Sequence, residues 1–247
     1  MAELRRLFAP PAAFCGGELL LDGERLRHVR TVLRLGPGDE LLVTDGAGRE
    51  CRVAIKRLGR ESGSAAVLGC DAPLRESPLQ TVLAQAVPKG DRFALVLEKA
   101  VELGVTGIVP VFSGRTISAG ATGGAVAARW QRIAEAALAQ CGRTRMPVLH
   151  PPRTWEELIA DAGLPALRIL LWEHAQTGLR EILERRHAAP PGVVVAVGPE
   201  GGWSAGEAAL AQRSGFLPAR LGPRTLRTET AGIAALALLQ HRWGDLG

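Results

Sequence analysis

The chain has 247 residues with 30 basic and 25 acidic side chains, a formal net charge of +5, and its lysines are Lys56, Lys89 and Lys99 alone. A composition of 47% hydrophobic and 22% charged residues excludes a disordered or fibrous chain. Apolar runs such as 193–197 fall far short of the roughly 20 residues of a bilayer span, and charges at Glu3, Arg5, Arg6, Asp22, Glu24 and Arg25 predict a cytoplasmic protein without a secretory signal.

Residues 1 to about 72 contain short β-prone runs. Leu26, Val29, Val32 and Leu33 fall on one helical stripe, which predicts a helix over 23–34. Residues 40–44 and 51–55 flank an Asp45-Gly46 turn and read as a hairpin, and 65–68 is a further strand. Together they predict a small β-barrel domain over 1–72. Its charge is nearly balanced, with 12 basic and 11 acidic residues over 1–76, so most of the excess lies beyond. The segment 71–78, with two prolines and mixed charge, marks the boundary of a second domain over 73–247.

The pattern then changes. Strands are expected at 81–87, 105–111, 168–172 and 193–197. Helices are expected at 91–103, around Trp130 to Leu138, at 204–214 and at 229–241, with a loop at 120–124. Strands alternating with helices indicate an α/β domain with a parallel sheet. Cys15, Cys51, Cys70 and Cys141 form no CxxC pair, and the histidines show no HxxxH or HExxH spacing. No metal site or disulfide is therefore expected, and the cysteines read as reduced and partly buried.

Four segments can carry chemistry. Val193 to Ser204 runs from a buried strand into Gly198-Pro199-Glu200-Gly201-Gly202-Trp203, and Ser204 with Glu207 forms a capping box opening the next helix. Ligands of parallel sheets bind beyond the carboxyl ends of strands. The loop is neither GxGxxG nor GxxxxGK[ST], so a dinucleotide fold or P-loop is not indicated. An ordinary tight turn explains it equally well. Leu221 to Gly232 repeats a Gly-Pro turn beside Arg224, Arg227 and Glu229, and Thr228 or Thr230 could cap the last helix. Val87 to Arg92, with Asp91 as a possible cap, and Gln140 to Pro147 are basic turns that suit either phosphate contacts or helix termini.

These blocks resemble a known family. VGPEGGWS at 197–204, LGPRTLRTETA at 221–231, RWGDLG at 242–247, residues 88–116, 135–147 and 75–79, and HVRTVLRLGPGDELLVTDG at 28–46 are similar to bacterial 16S rRNA uracil-N3 methyltransferases of the SPOUT superfamily. The resemblance implies an N-terminal PUA-like β-barrel and a C-terminal SPOUT domain with a parallel sheet and a trefoil knot. It also implies S-adenosylmethionine as cofactor without a metal, 16S rRNA in the 30S subunit as partner, and a homodimer. No membrane partner is expected.

Carried over, the resemblance assigns Glu173, Gly198, Pro199, Glu200, Gly201, Gly202, Leu221, Gly222, Leu226, Thr228 and Thr230 to the cofactor, with Pro223 in the same loop. Arg227 and Glu229 become the catalytic candidates. Uracil N3 carries a proton and is a poor nucleophile until a base such as Glu229 removes it, while Arg227 can stabilise charge on O2 and O4. Candidate RNA contacts are Arg5, Arg6, Arg30 and Arg34 in the barrel and Lys89, Arg92, Arg143 and Arg145 beside the knot. Trp203 and Gly232 depart from the expected family pattern. A related methyltransferase acting on another nucleotide, a non-catalytic RNA-binding protein and a dinucleotide oxidoreductase are the competing readings.

Overall fold

The computed structural model describes residues 4–114 and 123–247. It separates into two units, residues 1–76 with 135–146 and residues 77–134 with 147–247. The loop expected at 120–124 lies mostly outside the described residues.

The first unit contains β1 (Arg5–Phe8), β2 (Phe14–Cys15), β3 (Glu18–Asp22), α1 (Gly23–Arg27), β4 (Glu40–Thr44), β5 (Glu50–Leu58) and β6 (Ser62–Asp71). They form one sheet in the order β1-β4-β5-β6-β3-β2, with β1 parallel to β4 and the other pairs antiparallel. Leu41, Val43, Val53, Ile55 and Ala65 alternate inward with Leu19, Leu21, Leu26 and Val29 to make its core. The expected helix over 23–34 is present in two pieces, since a wider π turn over His28–Val32 follows α1. The hairpin forms as read. Asp45 is buried at its turn and accepts hydrogen bonds from the Ala47 and Arg49 amides and from Arg49 Nε.

The expectation of four reduced cysteines is corrected here. Cys51 and Cys70 are direct cross-strand partners on β5 and β6, with Cα atoms 4.0 Å apart, and they form a disulfide. Antiparallel neighbours bring side chains into such contact whatever their separation along the chain. Register, which is invisible in cysteine spacing, decides the pairing. Cys15 and Cys141 form no disulfide.

The second unit begins with β7 (Gln80–Ala86), α2 (Arg92–Glu102), β8 (Gly107–Phe112) and α3 (Gly124–Cys141), whose last turns belong with the first unit. It continues through β9 (Val148–Leu149), β10 (Arg153–Thr154), α4 (Trp155–Ile159), β11 (Leu167–Leu171) and α5 (Leu179–Glu184). β12 (Gly192–Val197), α6 (Ala205–Arg213), β13 (Phe216–Ala219) and α7 (Thr228–Trp243) complete it. The sheet is parallel throughout, in the order β10-β8-β7-β12-β11-β13, with β9 also paired to β8.

Both sheet faces are covered, which is why β12 reads as an unbroken apolar run. Val193, Val195 and Val197 face a layer with Phe93, Val96 and Leu97 of α2 and Leu236 and Leu239 of α7. Val194 and Ala196 face the other layer, with Trp155 and Leu158 of α4, Ala208 and Ala211 of α6, and Trp203. Among the described residues, no helix is long and apolar enough to cross a membrane.

Candidate functional site

β11, β12 and β13 lie side by side in register, with Leu171 opposite both Val197 and Ala219. Their carboxyl ends therefore form one rim. The loops leaving that rim, 172–178, 198–203 and 220–227, enclose a pocket of about 350 Å³. Loop 220–227 is held to loop 172–178 by hydrogen bonds from the Arg220 amide to Thr177 O (3.0 Å) and from the Leu179 amide to Arg220 O (2.9 Å).

The glycines of loop 198–203 have distinct steric jobs. A Cβ on Gly198 would lie 3.1 Å from the Trp203 ring. Gly202 turns at φ 65°, donates its amide to Pro199 O and leaves space that the Glu173 carboxylate takes. Trp203 is buried and packs on Trp155 at 4.2 Å between ring centroids. The Ser204–Glu207 capping box forms as read and fixes the start of α6.

The start of α7 corrects the capping expectation. Arg227 occupies the cap position, and neither Thr228 nor Thr230 caps. The Thr228 hydroxyl instead donates to Gly198 O and accepts from Gln85 Nε2 at 2.8 Å. Asp91 likewise holds the cap position of α2, but its carboxylate is 2.7 Å from Arg129, which keeps it below the usual carboxylate range. Glu229 is 7% exposed. Its Oε1 lies 3.8 Å from Arg92 Nε, and its Oε2 is buried without a hydrogen-bond partner. Arg92 also approaches Glu200 Oε1 at 3.5 Å, and the Lys89 amide donates to the same oxygen at 2.9 Å. Glu200 thus ties its loop to the segment entering α2.

The pocket wall gathers Glu173, Gly198, Pro199, Glu200, Gly202, Leu221, Gly222, Leu226, Arg227 and Thr228. Gly201, Glu229 and Thr230 are not part of that wall. Glu229 follows the wall residue Thr228 in sequence. Sequence reasoning missed Gln85, although an amide set between Ala84 and Ala86 in β7 was a visible signal. Among the described residues, no group of three His, Cys, Asp or Glu side chains could hold a metal.

The candidate RNA contacts separate into two groups. Arg5, Arg30, Arg34 and Arg145 are exposed in the first unit, and Lys89 and Arg92 are exposed in the second. Arg6 is half-buried beside Glu50. Arg143 is corrected: it is 5% exposed, with its guanidinium on Glu76 at 2.8–2.9 Å. Glu76 also accepts from the Thr144 and Arg145 amides. Arg143→Ala removes a buried guanidinium from the half-buried Glu76, which keeps the Thr144 and Arg145 amides, so it should lower stability by about 1.5–3 kcal/mol, the range for a hydrogen bond to a charged group. Arg145→Ala should leave the melting temperature unchanged and reduce the slope of log K against log salt for RNA by nearly one. Thermal melts and binding titrations at several salt concentrations check both.

Comparison with known proteins follows the same division. The RNA methyltransferase domain family matches residues 75–240, and the RNA methyltransferase PUA domain family matches residues 21–68. Ribosomal RNA small subunit methyltransferase E of Synechocystis is 33% identical over 94% of this chain and 76% of its own length. The chain belongs to the ribosomal RNA small subunit methyltransferase E family. The Mycobacterium tuberculosis member is 32% identical over 92% of this chain and 89% of its own. A putative methyltransferase of Legionella pneumophila, solved with bound S-adenosylmethionine, superposes with a TM-score of 0.91 at 35% identity, covering 99% of this chain and 100% of that one. The methyltransferase E of Neisseria gonorrhoeae, also solved with S-adenosylmethionine, gives 0.88 at 34% identity, with 99% and 100% covered.

Two departures from the expected methyltransferase E pattern now have physical reasons. Trp203 fills the space between Gly198 and Trp155. Gly232 lets α7 approach β7, since a Cβ there would come within 2.6 Å of Gln85 Oε1.

Proposed function

We propose that this chain transfers a methyl group from S-adenosylmethionine to N3 of a specific uridine of 16S rRNA in the small ribosomal subunit. The observation that carries the reading is the glycine-built pocket at the β11–β13 rim together with Glu229, next in sequence to the wall residue Thr228, a buried carboxylate whose Oε2 lacks a partner. The residues fit the cofactor. The volume lies in the small-ligand range, and Gly198, Gly202 and Gly222 let the backbone approach closely. When bound, S-adenosylmethionine supplies an electrophilic methyl on a sulfonium sulfur, so no metal is needed.

The protein's part is positioning and proton management. Pro199, Leu221 and Leu226 offer apolar wall, while Glu173, Gly201 and Thr230 edge the same loops. Glu229 takes the N3 proton as the methyl moves to nitrogen. Arg92 balances the carboxylate, and Arg227 stabilises charge on the uracil oxygens. N3 lies inside a Watson–Crick pair, so the target must be unpaired or flipped out.

The same reading makes 1–72 a PUA-like RNA-binding domain and 73–247 a SPOUT domain. Loops 172–178, 198–203 and 220–227 then form the trefoil knot, in a cytoplasmic homodimer. Arg5, Arg30, Arg34, Arg145 and Lys89 are its RNA contacts. The test is methyl transfer from labelled S-adenosylmethionine to 30S subunits and to naked 16S rRNA, with the product nucleoside mapped. A single N3-methyluridine in 16S rRNA is expected. Label on another nucleotide, or none, overturns the reading.

A further inference from the structure

Gln85 is fully buried near the carboxyl end of β7, between Ala84 and Ala86. Burying an amide is costly unless its polar atoms are matched. Its Nε2 donates to Ala86 O at 3.2 Å and to Thr228 Oγ1 at 2.8 Å. With that lone pair occupied, the Thr228 hydroxyl sends its proton to Gly198 O. The opposite amide orientation would set two oxygens, Gln85 Oε1 and Ala86 O, against each other, so the direction of the chain is fixed. Oε1 has no hydrogen-bond donor and faces the Cα of Gly232, where a side chain would collide with it. One buried amide therefore bonds its own strand β7 and the first residue of α7, faces Gly232 one turn later, and reaches through Thr228 the strand-end glycine of loop 198–203.

We infer that Gln85 is a positioning residue for methyl transfer, holding the Gly198 carbonyl and the Glu229-bearing start of α7 in register through Thr228. The inference rests on the proposed function. Gln85 touches no pocket surface, so it acts through Thr228 and Gly198. Replacing the donor with an acceptor, as in Gln85→Glu, would draw the Thr228 proton away from Gly198.

The test compares Gln85→Met, Gln85→Glu, Thr228→Val and the double variant Gln85→Met/Thr228→Val. The measurements are single-turnover methyl transfer at saturating S-adenosylmethionine and rRNA, calorimetric S-adenosylmethionine affinity and thermal melting. Each single variant should lose about tenfold or more in rate at saturation. The double variant should be no slower than the worse single one, because the two groups act as a unit. Wild-type rates in the Gln85 variants overturn the inference. So do multiplicative losses in the double variant, or a loss matched by the unfolded fraction. Failure of the wild-type protein to bind S-adenosylmethionine or methylate rRNA would overturn the proposed function instead.

Discussion

Glu229→Gln should abolish nearly all methyl transfer while leaving S-adenosylmethionine affinity within a few-fold of wild type. Glu229 is buried at the start of α7, outside the pocket wall, and its Oε2 has no partner. A glutamine keeps the shape and can still meet Arg92, but it cannot accept a proton. General-base removal typically costs about 10²–10⁴-fold in rate. The variant also leaves the Gly198–Thr228–Gln85 contacts untouched, so its melting temperature should hold. Calorimetry and single-turnover assays on one preparation separate the two effects. Wild-type turnover would remove Glu229 from the mechanism, and lost cofactor binding would reassign it to the pocket.

Trp203→Ala should be the most destabilising single change near the site. Its ring is buried between Gly198 and Trp155, on the sheet face shared by Phe216 and Ala211. Truncating a buried tryptophan costs about 3–5 kcal/mol. The freed space lies directly under loop 198–203, so S-adenosylmethionine affinity should fall about tenfold or more as the loop loses its floor. Trp203→Phe keeps the aromatic contact and removes a buried indole N–H that lacks a partner. Its cost should stay below about 1.5 kcal/mol. Gly198→Ala attacks the same contact from above: the added methyl meets the ring at 3.1 Å and should weaken cofactor binding without a large drop in stability. Thermal melts with and without S-adenosylmethionine distinguish these cases, because a ligand that binds the folded state raises the melting point.

Much of this was legible in the sequence because apolar periodicity reports layers. β7, β8, β11 and β12 are short apolar runs, since α2 and α7 cover one sheet face and α4 and α6 the other. The glycine loops were visible because backbone turns demand glycine. β13 was missed. It is four residues long and contains Pro218, tolerated because β13 is the sheet edge. The parallel pairing of β1 with β4 carries no local signal. Partners distant in sequence were also hidden. Arg92 read as an RNA contact but faces Glu200 and Glu229. Arg143 read as a surface cation but is buried on Glu76. Composition records that a charge exists, and the fold decides what neutralises it.

The central position of β12 has a consequence for synthesis. β7 at 80–86 pairs with β12 at 192–197, and α7 packs onto both. While the chain is being translated, β7 must wait, with one sheet edge and an apolar face open, until about a hundred further residues have emerged and β12 follows. Such long-range pairing is slow to form and exposed to aggregation. The strands of the first unit, by contrast, are all complete by Asp71. Chains truncated before α7 should therefore be targets for chaperones and proteases, with folded strands at their amino end and no competent catalytic half.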